Sequence, residues 1–255
     1  MCWIICLDIL LKIPFCQQLK RSGHIENIIE LKNVRKVFHM GNEKIIALDN
    51  INLTFEREKI YCLLGTSGSG KSTLLNLIAG LEKPTKGEII FCKRHIESMS
   101  EKKLALFRQR YVGFVFQSYN LLPTLNALEN VALPLIFSGM PSRLRQKKAV
   151  EMLKAVGLLN RARHKPSEMS GGQQQRISIA RAFINNPQVV FADEPTGNLD
   201  SKTTNEMMDL ITSFAQKYKQ TLIIVTHDRE IAAYADEIVK IKDGLVESVE
   251  RIKDR

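Results

Sequence analysis

The residues best equipped for chemistry are Gly65-Thr66-Ser67-Gly68-Ser69-Gly70-Lys71-Ser72. Their spacing is that of a phosphate-binding loop, G-x-x-x-x-G-K-[ST]. Glycines let a backbone turn tightly and bring successive N–H groups close to phosphate oxygens. The N-terminus of the helix that follows would add its partial positive charge to the same point. Lys71 could then reach the β- and γ-phosphates, and the Ser72 hydroxyl could ligate Mg²⁺. A plain glycine-rich turn has similar composition, but this pattern arises by chance in on the order of one such chain in a hundred. The apolar run 60–64 before it and Leu74, Leu75, Leu77 and Ile78 after it set the loop between a strand and a helix.

Two further stretches carry chemistry. Val189-Val190-Phe191-Ala192-Asp193-Glu194 is an apolar strand ending in two acids. The first suits Mg²⁺ and the second could polarise an attacking water. Alone that signal is weak; after a phosphate loop it is strong. Ser170-Gly171-Gly172-Gln173-Gln174-Gln175-Arg176 opens a helix, and Ser170 with Gln173 fits a capping box. A cap does not need two glycines. They expose N–H groups at a positive helix end, which makes a second anion cradle. Two cradles in a chain with one phosphate loop require an explanation.

The elements that must position these residues alternate. Residues 28–38 and 45–55 read as strands joined by a Met40-Gly41-Asn42 turn, followed by strands at 60–64 and 87–92. Helical periodicity covers 101–110, 127–137, 142–156 and a segment after Ser170. Strands return at 189–192, 221–225 and 238–241, with helices at 202–218 and 229–235 between them. The pattern predicts an α/β fold with a mostly parallel, helix-covered central sheet, an antiparallel β portion and a helical insertion at about 101–186.

Together with Phe114-Val115-Phe116-Gln117, Gly197-Asn198-Leu199-Asp200 and Val225-Thr226-His227-Asp228, these stretches stand in the order and spacing of an ABC-type ATPase. The resemblance covers residue 28 to the C-terminus. It implies a P-loop NTPase core and a head-to-tail dimer with two ATP molecules at the interface. Each ATP would lie between the phosphate loop of one chain and the Ser170 helix of the other, which accounts for the second cradle. By the same resemblance Gly65, Ser67, Gly68, Ser69, Gly70, Lys71 and Thr73 would bind the nucleotide, with Ser72, Gln117 and Asp193 at Mg²⁺. Glu194 would be general base or water-positioner, with His227 and Lys71 at the γ-phosphate and Gln117 sensing a membrane partner. Ser170 and Gly172 would reach the partner's γ-phosphate, Asp200 would lie at the dimer seam, and Phe38 would stack on adenine.

Three departures are visible. Phe38 stands where the family often has Tyr, Met169 where it has Leu, and Glu58-Lys59 where a Gly-Glu turn is usual. None of them predicts a dead ATPase. Residues 116–131 and 192–200 resemble the subgroup of macrolide exporters, lipoprotein-releasing and antimicrobial-peptide-resistance transporters and the cell-division ATPase. That implies a motor for a separate membrane permease, exporting or extracting a peptide, lipoprotein or drug. The alternative is a non-transport ATPase regulating a membrane or cell-division complex.

Composition narrows the rest. The 255 residues carry 44% hydrophobic side chains, ample for one large domain, expected over 27–250. The five cysteines are scattered without C-x-x-C, so neither a disulfide framework nor a zinc site is expected, and a reducing cytoplasm is the simplest home. Residues 1–16 are apolar but interrupted by Asp8, Lys12 and Pro14, too short for the ~20 residues of a spanning helix. Residues 1–26 are set aside as a disordered extension or a start-site artefact, with a membrane-surface anchor as the other reading. The net charge of +10 concentrates in 141–165, where eight basic residues face one acid, Glu151. That segment is a solvated helix face or is drawn to an anionic leaflet, at about 1 kcal/mol per residue near the surface. No aromatic residues interleave with it, so nucleic acid is not expected.

Overall fold

The structure, a computed structural model, describes residues 26–252 except Asn42, and the backbone alone of Met40. The expectations for residues 1–25 lie outside that range. Strands β1 (Asn27–Met40) and β2 (Glu43–Glu56) form a long hairpin in which Met40 pairs with Glu43. Gly41 takes φ +59°, a conformation glycine adopts without steric cost. From Ile51 onward β2 alternates, with Ile51, Leu53 and Phe55 buried and Asn52 and Thr54 exposed. β1 also pairs with β4 (Lys86–Phe91), and β4 with the short β5 (Arg94–His95), completing a four-stranded antiparallel sheet.

The second sheet has six strands in the order β10-β9-β3-β8-β7-β6, running Leu245–Arg251, Glu237–Lys242, Ile60–Leu64, Thr221–Thr226, Val189–Asp193 and Val112–Phe116. All neighbours are parallel except β10 against β9. The central strands are buried on both faces, which is why they read as unbroken apolar runs. Their period of two still divides the core. Ile60, Cys62, Val190, Ala192, Leu222 and Ile224 enter one apolar cluster; Tyr61, Leu63, Val189, Phe191, Ile223 and Val225 enter the other.

The first cluster is closed by α3 (Ala127–Phe137), α4 (Ser142–Ala155), α5 (Gly171–Phe183) and α6 (Ser201–Lys217). The second is closed by α1 (Lys71–Ile78), α2 (Glu101–Tyr111) and the antiparallel sheet. A one-turn helix, α7 (Arg229–Ala232), follows β8. The α/β architecture expected from the sequence is thus the one observed.

Three strands are absent from the sequence reading. β6 follows α2 without an intervening turn residue, so nothing punctuates the change of period. Its Gly113 lies so close to the Ala182 carbonyl that a Cβ would collide with it. β10 returns through Asp243-Gly244, with φ +48° and +75°, a two-residue hairpin turn of the Asp-Gly kind. β5 is only two residues long.

The parallel arrangement gathers four strand ends at one edge of the sheet. Leu64 pairs with Thr226, Val225 with Asp193, and Asp193 with Phe116, so the carboxyl ends of β3, β8, β7 and β6 lie side by side. Ligands of open parallel sheets bind outside those ends.

Candidate functional site

Each of those strands delivers a chemically equipped residue at its end. β3 runs into the glycine loop, β8 into His227, β7 into Asp193-Glu194 and β6 into Gln117. A cavity of about 800 Å³ opens there, lined by Ser67, Gly68, Gly70, Lys71, Ser72 and Thr73 from the loop and α1. Gln117, Glu194 and His227 complete the wall on the sheet side. Four widely separated motifs are brought to one place.

The loop is held by its neighbours. Gly244 N–H donates to Ser69 O at 3.0 Å, and Ser69 N–H to Thr66 O at 3.2 Å. Gly70 sits at φ +102° against β2, where a Cβ would meet Ala47 O at 2.7 Å and Leu48 Cδ2 at 2.9 Å. Gly68 is also left-handed at φ +80°, but faces open space. Gly70→Ala is therefore expected to destabilise the fold by at least about 2 kcal/mol, and Gly68→Ala by about 1 kcal/mol. Urea denaturation of both variants checks this; equal costs would remove the Ala47 contact as the reason for Gly70.

Lys71 is only 6% exposed, and its ammonium donates to Thr66 O at 2.6 Å. Burial lowers its pKa, while the nearby Glu194 and Asp193 charges oppose the shift. Asp193 is pushed up, first by burial and then by Glu194, with Lys71 pulling the other way. Helix α1 has no acid in its first turn and no side-chain cap, so its positive end is left uncancelled. The buried Ser69 hydroxyl has no hydrogen-bond partner among the described residues. Such a cradle is made for an anion.

Glu194 has φ +43°, unusual for a residue with a Cβ. Its N–H donates to Val225 O at 2.9 Å, tying the turn to β8. One carboxylate oxygen lies 2.8 Å from His227 Nδ1, and the other accepts from Thr226 Oγ1 at 3.3 Å. Backbone strain of this kind gathers where a side chain must be aimed. Here it turns the carboxylate off the strand line and toward the cavity.

Gln117 is set by the turn after Asp193-Glu194. Asn198 Nδ2 donates to Gln117 O at 3.1 Å, and Gly197 lets the Gln117 side chain lie where a Cβ would be 2.6 Å from Nε2. Beyond it, Arg181 of α5 donates to Tyr119 O at 2.8 Å and to Asn120 O at 2.5 Å. Arg181 thus ties the segment after Gln117 to the helix that Ser170 caps.

Other sequence-predicted residues lie apart from this cavity. The capping box at Ser170 is present: Ser170 Oγ accepts from Gln173 N at 3.4 Å, and Gln173 Oε1 from Ser170 N at 3.2 Å. Ser170 and Gly172 open α5 and Asp200 caps α6, and none of the three is among the residues lining the cavity. Hydrogen bonds from Thr203 N–H and Thr203 Oγ1 hold the Asp200 carboxyl below its usual range. Gly65 lies beneath the loop against the Ile241 carbonyl. Phe38 pairs with Ile45, itself a lining residue, and Lys36 Nζ sits 4.8 Å from the centre of its ring. The sequence reading had no role for Ile45, Ile46, Ala47, Asp243 and Gly244, which also line the cavity. Of these only Asp-Gly carries a local signal.

Comparison with known proteins agrees with this geometry. A family described as "ABC transporter" matches residues 48–197. An uncharacterized ABC transporter ATP-binding protein of Methanocaldococcus jannaschii, MJ1508, is 48% identical over 85% of this chain and 96% of its own. The macrolide export ATP-binding/permease protein MacB of Bdellovibrio bacteriovorus is 43% identical over 89% of this chain, but only 34% of that longer protein is covered. Among solved structures, the dimeric post-hydrolysis state of the ATP-binding cassette MJ0796 bound to ADP and Pi superposes with TM-score 0.82 and 44% identity, over 89% of this chain and all of that one. The chain belongs to the ABC transporter family, as one of its ATPase cassettes.

Proposed function

We propose that two copies of this chain close head to tail on ATP, hydrolyse it between them, and so drive a membrane permease. The observation that carries the pairing is the position of the second cradle. Ser170 caps α5 and Gly172 lies in its first turn, at the positive end of the helix, yet neither lines the nucleotide cavity of its own chain. A second protomer gives them a phosphate to bind, and Asp200 then lies at the seam.

Within the cavity, the glycine loop from Gly65 to Gly70, with Ser67 and Ser69, wraps the phosphates, and Lys71 and Thr73 bind beside it. Phe38 stacks on the adenine. Ser72 and Asp193, with Gln117, would hold Mg²⁺, which neutralises charge on phosphate oxygens. Lys71 beside the desolvated Asp193 carboxyl suits that role. Glu194 takes a proton from the attacking water as the bond to the leaving ADP oxygen breaks. His227 and Thr226 fix the carboxylate that does so.

A groove of about 610 Å³ supports the permease reading. It is walled by Leu106, Phe114, Phe116, Leu133 and Phe137, and it runs along β6, the strand that ends in Gln117. A permease segment seated there would move Gln117. The similarity to a protein named as an ATP-binding/permease protein points the same way. No helix among the described residues is long and apolar enough to cross a membrane. The chain would then sit on the cytoplasmic face of the membrane, bound to its permease.

Ser170→Phe, placed in a hydrolysis-arrested Glu194→Gln background, tests the pairing. ATP affinity of the monomer should stay within about twofold, less than 0.5 kcal/mol, while ATP-driven dimerisation in size exclusion is lost. Weakened monomer affinity with dimerisation intact would place Ser170 in its own chain's site and overturn the reading.

A further inference from the structure

The basic segment 141–165 is unused by the site. In the fold it forms α4 and the turns after it, and none of its eight basic residues makes an ion pair with another described residue. Helix α4 turns Ala149, Met152 and Leu153 inward. At 100° per residue, Arg143, Lys147 and Lys154 fall on one stripe of the opposite, solvent face. Lys148 is exposed on the flank of the helix, about 100° around from Lys147.

The apolar surface nearby is unusual too. Phe137, at 69%, is the most exposed of the large apolar side chains described, and it ends α3 just before the turn into α4. Leu144, on the first turn of α4, is 55% exposed. Uncancelled cations along a helix, with bare apolar side chains at its tip, match a bilayer surface, whose headgroups are anionic and whose interior accepts apolar groups. A nucleic acid offers the charge but nothing for Leu144. Phe137 also walls the groove along β6, so that groove reaches the α3 end of the α3–α4 hairpin.

We infer that the α3–α4 hairpin, through Arg143, Lys147, Lys148 and Lys154 with Leu144 at its tip, is a binding face for anionic lipid headgroups. It deepens the proposed placement at the membrane by giving the chain a lipid contact of its own. The bare chain tests it without a permease, so its failure is separate from failure of the permease reading.

The full-length chain is floated with vesicles of phosphatidylcholine alone, or with about a third phosphatidylglycerol. The wild type should bind the anionic vesicles and release them in high salt. Replacing the four cations by Gln should lower that binding by about tenfold or more, with melting temperature and ATP hydrolysis unchanged. Leu144→Ser should also lower binding to the anionic vesicles at low salt. Three outcomes overturn the inference: no wild-type binding, equal flotation of the quadruple variant (retention then belonging to residues 1–25 or elsewhere), or tighter, cation-dependent binding to duplex DNA than to the vesicles.

Discussion

Glu194→Gln should slow ATP hydrolysis by about a thousandfold while leaving nucleotide binding intact, the range expected when a positioned proton acceptor is removed. The substitution keeps the volume of the side chain. It also keeps an oxygen for Thr226 Oγ1 and a polar group facing His227 Nδ1. The backbone at φ +43° tolerates Gln no worse than Glu. What is lost is the capacity to take a proton from water, so the effect falls on the turnover rate and not on the Michaelis constant. The pairing of cradles adds a second effect. If closure precedes hydrolysis, the variant should accumulate as an ATP-bound dimer in size exclusion, whereas the wild type dissociates as it turns over. Steady-state hydrolysis and elution volume measure the two effects independently. A variant that retains most of its rate would remove Glu194 from the chemistry and leave its strained backbone without a reason.

What made Glu194 legible was its position after an apolar strand in a chain that also carried a phosphate loop. The central strands β3, β7 and β8 could be read because strands buried on both faces leave continuous apolar runs. β6 could not. It starts where α2 stops, and helix and strand periods merge over so few residues. The motif residue Gln117 was therefore visible while the strand that aims it was not. The side chains that clamp the site were hidden for a different reason. Arg181 looks like one more basic residue on a helix, and only the fold brings it to the carbonyls of Tyr119 and Asn120. Likewise Ala47 matters because its carbonyl approaches Gly70, a contact between segments that no local pattern encodes. The family resemblance supplied the reason for a second cradle; the fold shows that Ser170 caps α5 outside its own nucleotide cavity.

Lys71→Met should strongly weaken nucleotide binding without harming the empty protein. A lysine that contacts two phosphates contributes charge-assisted hydrogen bonds, and its loss should weaken ATP binding by about 100-fold or more, near 3 kcal/mol. The apo protein should respond in the opposite sense. Lys71 is nearly fully buried, and burial holds its pKa below 10.5 despite the Asp193 and Glu194 charges. Between that lowered value and 10.5 the unfolded chain binds more protons than the folded one, so stability rises with pH through the window. Below the window, at neutral pH, the folded state carries the whole cost of the buried charge. Met fills similar space without that charge, so the apo variant should melt no lower than wild type at pH 7, and its stability should no longer rise toward alkaline pH. Saturating ATP, at about 100 times the dissociation constant, should stabilise the wild type by about 2.7 kcal/mol and the variant hardly at all. Thermal melts with and without ATP, at neutral and alkaline pH, separate these effects. An apo variant that melts several degrees lower would mean that the ammonium stabilises the empty fold through Asp193 and Glu194, and is not held there against its solvation solely for the phosphates.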